Sequence, residues 1–314
     1  MKMKTKILGE RERRLDKLMK KAENDPVIKE VLEGKKAEKD REISIGDLVI
    51  ESKPFANNIL STAFSSIGNL LAVGCQDDFV RLFALDYEKG TLEGIHAIKQ
   101  DGHPMAVSFY QGFESKFEVA RSDNLVRAYE FDYDSLSVRY AYSLNNTSMG
   151  EFPEIRASAF RSDGMFLAAF SEDYQIRVFE TGPNLVPFYV CRESEWVFGL
   201  AFYKGKYLAI GKDNDLLTIS EIDYNLNRLW SLFTQQLPDI AFGLSFDSSG
   251  KYLAVGSPRA TGIFEVDYQN KYLRQVAEQE AKKNVLEVSF SPDGEYLLTG
   301  EQDHKVRIYK IERK

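Results

Sequence analysis

The sequence has few cysteines and no excess of positive charge. Only two cysteines, Cys75 and Cys191, occur among 314 residues, which excludes a disulfide scaffold and favours a reducing compartment. The formal net charge of −7 argues against a nucleic-acid-binding protein, because phosphate binding needs a basic surface. No apolar run approaches the ~20 residues of a membrane span, and the first residues lack the apolar segment of a secretory signal. We therefore expect an intracellular, cytoplasmic protein, with nuclear or cytoskeletal association left open.

Motifs of common enzyme and metal sites are also missing. GxSxG, the P-loop and GxGxxG do not occur, and there is no CxxC or Cys/His cluster for a structural zinc ion. The three histidines, His96, His103 and His304, lie far apart in the sequence. A metal or catalytic role would require the fold to bring them together with carboxylates. We predict no catalytic residue, no metal site and no cofactor.

What the sequence does contain is a segment that ends in phenylalanine and recurs six times. The aligned residues are Phe64, Phe109, Phe160, Phe202, Phe246 and Phe290, at spacings of 45, 51, 42, 44 and 44 residues. A turn and a second apolar run follow, for example Tyr252-Leu253-Ala254-Val255. A period of about 40–45 residues with several short strands is typical of propeller blades, which bury both faces only against neighbouring blades.

An aspartate follows the second apolar run in five of the six copies, three residues before an apolar residue. These residues are Asp77, Asp123, Asp173, Asp213 and Asp303. An Asp side chain accepts backbone N–H bonds in a tight loop, so we predict a structural role in the turn. Arginines recur at one position after this turn, at Arg81, Arg127, Arg177 and Arg307, and we expect them to pair with loop carboxylates. The fifth copy has Pro258 or Arg259 in place of the Asp.

The Ser-Pro-Asp-Gly turn at Ser291 to Gly294 and Asp-x-x-Val-Arg-x-aromatic strings such as Asp77 to Phe83 resemble the WD40 family over residues 43–314. The resemblance implies an all-β fold, a propeller of six four-stranded blades, with seven as the alternative count because most family members have seven. The Trp-Asp pair of the family is missing, and Gly102-His103 lies out of register with its Gly-His pair. The usual Asp-His-Ser-Trp hydrogen-bond network is therefore not expected.

Residues 1–42 differ in composition from the rest, with 14 Lys and Arg against 10 Asp and Glu. Apolar residues at helical spacing predict two short helices in this charged extension. Residues 43–52 then alternate like a strand, whereas the last copy ends without a fourth strand of its own. We predict that this N-terminal strand completes the last blade and closes the ring, which also removes two sheet edges.

These features favour a non-enzymatic scaffold that binds other proteins within an assembly, with the helical arm as a second contact. In the resembled family, the residue before the turn Asp often contacts partners. Carried over with the apolar faces of the two helices, the predicted partner-binding residues are Gln76, Ser122, Glu172, Lys212, Gln302, Leu15, Leu18, Val27 and Val31. One alternative is a lactonase-like propeller hydrolase with a site at the channel mouth. Another is an open ring, similar to coat or pore scaffolds, completed by a partner strand.

Overall fold

The computed structural model of the chain describes residues 43–110, 113–123, 125–132, 135, 137–145, 154–161, 165–181 and 185–313. The predicted helical extension, residues 1–42, lies outside them, and so do its apolar residues Leu15, Leu18, Val27 and Val31. Within the described part, the regular elements are 24 β-strands. In that part no helix combines the length and apolar character needed to cross a membrane.

The first described strand, β1 (Ile43–Glu51), belongs to the last blade, and the next eight strands form the first two blades. Every blade is a four-stranded sheet with strands a to d from the innermost to the outermost. Blade 1 contains β2 (Ile59–Phe64), β3 (Leu70–Cys75), β4 (Phe79–Asp86) and β5 (Thr91–Lys99). Blade 2 contains β6 (Pro104–Tyr110), β7 (Phe113–Arg121), β8 (Leu125–Asp132) and β9 (Ser137–Asn145).

The remaining strands form four more blades. Blade 3 contains β10 (Ile155–Phe160), β11 (Phe166–Ser171), β12 (Gln175–Thr181) and β13 (Leu185–Arg192). Blade 4 contains β14 (Val197–Tyr203), β15 (Tyr207–Lys212), β16 (Leu216–Asp223) and β17 (Arg228–Gln236). Blade 5 contains β18 (Gly243–Phe246), β19 (Tyr252–Ser257), β20 (Ala260–Asp267) and β21 (Tyr272–Glu280). Blade 6 contains β22 (Val285–Phe290), β23 (Tyr296–Glu301), β24 (Val306–Arg313) and β1.

The six blades form a closed ring around a central channel. Each innermost strand contacts the innermost strand of the next blade, and β22 of blade 6 contacts β2 of blade 1. The prediction of a six-bladed all-β propeller is confirmed, and the alternative count of seven is wrong for the described chain. The aligned phenylalanines lie at or next to the end of strand a in every blade.

The core is divided among the junctions between blades. Six separate clusters of buried apolar side chains each combine residues of two adjacent blades. At the junction of blades 1 and 2, for example, Val80 and Leu82 pack in one cluster with Val107 and Phe117. The two faces of each blade are shielded from water only where the neighbouring blades cover them, as expected for a repeat protein.

Glycines in strand b allow the next blade to approach closely. A Cβ added to Gly211 would lie 2.7 Å from the carbonyl oxygen of Ala241, and one added to Gly256 would lie 2.8 Å from that of Val285. Real Cβ atoms do not come this close to backbone. These two positions therefore require glycine because of the packing between blades, not because of a turn.

The N-terminal strand closes the ring as predicted. Strand β1 pairs with β24 at the outer edge of blade 6, and the N–H of Ser52 donates to the carbonyl of Val306 at 2.9 Å. Ile43 packs in the cluster between blades 5 and 6, and Ile50 packs in the one between blades 6 and 1. The open-ring alternative, which needs this segment to lie away from the last blade, is therefore wrong.

Tyrosines after strand c join the blades at the lower end of the ring, where strand a ends. The hydroxyl of Tyr87 donates to the carbonyl of Gly68 at 2.9 Å, and its ring stacks on Tyr296 of blade 6 with centroids 4.0 Å apart. Tyr268 of blade 5 stacks on Tyr207 of blade 4 at 4.4 Å. Tyr87 and Tyr268 each follow an Asp at the end of strand c, and each joins its blade to the preceding one.

We expect Ile50→Ala to destabilise the ring by about 2–5 kcal/mol, the usual cost of removing a buried isoleucine side chain. Ile50 is 1% exposed and packs against residues of blades 6 and 1. Leu48→Ala is the matched control, because Leu48 lies on the same strand and is 47% exposed. Urea unfolding followed by circular dichroism measures both. Equal small losses in the two variants would contradict closure by β1.

Candidate functional site

The turn between strands b and c lies at the upper end of the ring, where strand a begins. One hydrogen bond recurs there: a loop N–H donates to the carbonyl of the residue before strand a. It joins Gln76 to Asn58 at 2.9 Å, Glu172 to Glu154 at 3.2 Å and Gln302 to Asn284 at 2.8 Å. The b–c turns and the connections between blades therefore form one surface, called here the upper face.

The turn aspartates hold this surface rigid in three blades. The Asp173 carboxylate accepts the backbone N–H of Gln175 at 3.3 Å and an Arg177 bond at 3.1 Å. Asp77 accepts the Phe79 N–H at 3.2 Å and two Arg81 bonds at 2.9 and 2.5 Å. Asp303 accepts the Lys305 N–H at 3.2 Å and two Arg307 bonds at 3.2 and 2.5 Å. Each carboxylate thus joins the turn to strand c, as the sequence predicts.

Blade 2 uses different ion pairs. Arg127 pairs with Asp101 at 2.7 Å instead of with its turn aspartate. Asp123 is hydrogen-bonded to Arg121, whose side chain is 1% exposed. His103 Nδ1 lies 2.7 Å from Asp78 of blade 1, so this Gly-His pair joins two blades and does not bind the turn aspartate of its own blade.

The turn of blade 4 corrects the prediction for Asp213. Gly211 pairs with Leu217, as Gly74 pairs with Val80 in blade 1, so Asn214 occupies the turn position and Asp213 precedes it. The N–H of Asp213 donates to the Trp196 carbonyl at 3.0 Å, which is the bond that Gln76 makes. Asp213 therefore lies in the b–c loop at the upper face, in the position of Gln76. Lys212 is the last residue of strand b.

The predicted partner-binding residues differ in how far their side chains are exposed to solvent. Glu172 and Gln302 are exposed, and Gln76 is partly exposed. Lys212 pairs with Glu193 at 2.6 Å, its side chain 14% exposed. Ser122 is only 6% exposed, and its hydroxyl accepts the His103 N–H at 3.1 Å. The Ser122 side chain is therefore largely taken up in fixing the loop, and partner binding by all five residues stays a prediction.

An apolar ring surrounds the upper mouth of the channel. In five blades the pairing of strands a and b shifts by one residue near the start of strand a, and such a bulge redirects a side chain. The shifted residues and Phe242 of blade 5 line the channel. We call this set the mouth ring; it contains Leu60, Met105, Arg156, Phe198, Phe242 and Leu286.

Two aromatic members of the mouth ring are in contact. Phe198 and Phe242 meet edge to face with centroids 5.6 Å apart, and Phe198 is 41% exposed. Arg156 is the charged member, and its guanidinium is held at the rim by Glu172 at 3.1 Å and Glu154 at 3.1 Å. Acidic residues dominate the adjoining loops of blades 3 to 5, where Glu154, Glu172, Glu193, Glu195, Asp213, Asp215 and Asp239 are at least partly exposed.

The channel pocket, lined by the mouth ring and by neighbouring residues of the innermost strands, has a volume of about 300 Å³. The two charged residues among the described lining residues are Arg156 and Glu287. Burial raises the pKa of the Glu287 carboxyl to about 8, although bonds from Thr62 act in the opposite direction. The channel therefore has a mixed lining, with apolar side chains at the mouth and one carboxyl on its wall.

The three histidines are not brought together with a set of ligands. His96 lies on outer strand β5, His103 pairs with Asp78, and His304 follows the turn aspartate of blade 6. Among the residues that the structure describes, no three His, Cys, Asp or Glu side chains form a group that could hold a metal ion. The two cysteine thiols are likewise separate, in blades 1 and 3.

Sequence reasoning missed the mouth ring and Glu287, although the repeat alignment carries a signal for both. Four residues before each aligned Phe, the chain reads Leu, Met, Arg, Phe, Phe and Leu. Five of these six are apolar, although alternation from the buried residue before each one would place it on the outside. At the next position, five copies have Ser, Ala or Gly and the sixth has Glu287.

Comparison with known proteins agrees with this geometry. The model of the WD40 family (WD domain, G-beta repeat) matches residues 273–310, which run from β21 to β24. A curated relative, Echinoderm microtubule-associated protein-like 2 from Rattus norvegicus, is 26% identical over 161 residues. This match covers 49% of the chain and 22% of that protein, so it spans about a fifth of the relative's length.

Solved structures share the fold at low sequence identity. The RRP9 WD40 repeats align with a TM-score of 0.64 at 12% identity, over 86% of this chain and 98% of that one. A chain of the mitotic checkpoint complex aligns with a TM-score of 0.63 at 14% identity, over 87% and 94% of the two chains. The Cps50 (Swd1) β-propeller domain of Myceliophteria thermophila gives 0.57 at 14% identity, over 81% and 82%.

We expect Asp173→Asn to cost about 1–3 kcal/mol at pH 7, because it removes the charged partner of buried Arg177. The hydrogen bond from Arg177 lowers the pKa of Asp173. A lowered folded-state pKa stabilises the fold above the unfolded value of about 4, and this stability is lost as the pH falls through the folded value. The difference from wild type should therefore shrink below about pH 4.

Urea unfolding of both proteins at pH 7 and at acidic pH measures this difference. Asp47→Asn is the matched control, since Asp47 is exposed on β1 and should change stability by less than about 0.5 kcal/mol. A difference that stays constant across this pH range would refute the ion-pair explanation.

Proposed function

Because the chain is a WD40-repeat β-propeller, we propose that it is a non-enzymatic scaffold that binds another protein at the upper mouth of its central channel. The observation that carries this proposal is the mouth ring, five apolar side chains and Arg156 around one opening. Apolar and aromatic side chains with a polar rim are the usual composition of a binding centre between proteins.

The charges of the upper face indicate what kind of partner fits. The loops of blades 3 to 5 carry the acidic residues named above, and the chain as a whole has a net charge of −7. Charge complementarity favours a partner segment with basic residues around an apolar one. The relatives support a role in assemblies, since one aligned chain belongs to a mitotic checkpoint complex.

Rigid support makes the mouth suitable as a docking surface. The bulge residues are held by strand a, whose neighbours on both sides are packed blades, and the b–c turns are fixed by pairs such as Asp303 with Arg307. A preformed surface loses less conformational entropy on binding than a mobile one. The predicted second contact, the N-terminal arm, remains a proposal based on the sequence, and so does the cytoplasmic location.

Phe198→Glu should remove partner binding, because it places a charge in the apolar mouth. Proteins that co-purify with the intact chain should fall by about tenfold or more, the effect of losing a central hot spot. Leu226→Glu is the matched control: Leu226 lies in the same blade, 60% exposed, at the opposite end of the ring. Quantitative mass spectrometry of both samples and of wild type gives the comparison.

A version of the chain that starts at residue 43 separates the two proposed contacts. Partners that bind the arm should be lost from this shortened chain and retained by Phe198→Glu. Partners that bind the mouth should be retained by the shortened chain and lost from Phe198→Glu. If every co-purifying protein is retained by Phe198→Glu, the mouth is not the docking surface and the proposal fails.

A further inference from the structure

Glu287 occupies a position where the other blades have small residues. The equivalent residues three places before the aligned Phe are Ser61, Ala106, Ala157, Gly199 and Gly243. Their size follows from the packing: a Cβ on Gly243 would lie 2.7 Å from the Cα of Glu287 in the next blade. Blade 6 alone places a long, ionisable side chain at this point of the described ring.

The described residues around Glu287 provide hydrogen bonds but no positive charge. Its Oε1 accepts the backbone N–H of Thr62 at 3.3 Å and the Thr62 hydroxyl at 3.4 Å. The strands packed against it contribute Thr62, Gly243 and Gly300, none of which titrates. Arg156, the other charged residue of the channel wall, is held at the rim by Glu172 and Glu154.

Glu287 is partly buried, and a fully buried carboxyl of the same blade differs from it in having a cation beside it. Glu301 is 2% exposed, and Arg307 pairs with it at 2.7 Å. A carboxylate removed from water needs such a partner, since desolvation without one strongly favours the neutral acid. Burial accordingly raises the pKa of Glu287 to about 8. Its charge would be stabilised by a cation that enters the channel.

We propose that the channel binds the ammonium group of a lysine side chain from the partner protein, with Glu287 as its counter-ion. This inference deepens the proposed function and rests on it. The apolar mouth ring fits the four methylene groups of a lysine, which pack along apolar surface while the charged end reaches further. The acidic rim of blades 3 to 5 attracts the same charge.

The geometry favours lysine over arginine. One oxygen of Glu287 is already engaged by Thr62, whereas a guanidinium prefers to bind both oxygens of a carboxylate in parallel. An ammonium needs single acceptors in several directions.

The test uses the full-length chain and n-butylammonium, which reproduces the end of a lysine side chain. Calorimetry should detect binding with a Kd on the order of 10 mM, as expected for a ligand of five heavy atoms. At pH 7 binding should release a proton, because the neutral Glu287 carboxyl gives its proton to the buffer when the carboxylate pairs with the ammonium. Titrations in two buffers of different ionisation enthalpy measure this proton.

Glu287→Gln should weaken n-butylammonium binding by about tenfold or more and abolish proton release, while the bond to Thr62 is preserved. Its melting temperature should equal or exceed that of wild type, since no ionisable group remains buried there. Glu295→Gln, on the exposed turn of the same blade, is the matched control and should bind as wild type does. Butylguanidinium and the neutral 1-pentanol should both bind more weakly than the ammonium.

Equal binding of n-butylammonium by wild type and Glu287→Gln, absence of proton release, or equal binding of 1-pentanol would each overturn the lysine site. Such a result leaves the proposed function standing if co-purifying proteins still depend on Phe198. If they do not depend on Phe198 but the ammonium binds through Glu287, the cation site exists and the docking surface lies elsewhere.

Discussion

The structure depends on apolar surface that adjacent blades bury together. Each of the six clusters contains side chains of two blades, so the loss of one blade would expose part of two clusters. This constraint explains why β1, the first described strand, pairs with the last: Ile43 and Ile50 contribute to the clusters on both sides of blade 6. It also explains the strand b glycines, because blades can share a dry junction only if their backbones come close.

Much of this fold could be predicted from the sequence because its signals are local and repeated. The aligned phenylalanines, the turn aspartates and the alternation in residues 43–52 each follow from a few neighbouring residues. The wrong prediction for Asp213 shows that local sequence signals do not determine the register between two strands. Lys212-Asp213-Asn214-Asp215 offers two aspartates for one turn, and only the pairing of Gly211 with Leu217 decides which residue occupies the turn position. Register is a property of two strands, and it cannot be read from one.

The candidate site was harder to predict for a related reason. Residues before the turn Asp were expected to form the contact surface, but Ser122 is buried, and the mouth ring is the more apolar surface. Its members are exposed to the channel because strand a shifts register against strand b beside them. A bulge changes the direction of a side chain without leaving a composition signal of its own. In a regular strand, Phe198, which follows buried Val197, would be an ordinary outward-facing residue.

The repeat helps to separate function from packing in this ring. A residue type that recurs at one position, such as the arginine that binds a turn aspartate, is explained by a need that blades 1, 3 and 6 share. A residue that departs from its equivalents calls for another explanation. Glu287 departs at a position where the other blades have small residues, and its partial burial carries an electrostatic cost that no described positive side chain offsets. Since Ser, Ala or Gly would fill that position at no such cost, the carboxyl is better explained by something that binds in the channel than by the stability of the ring.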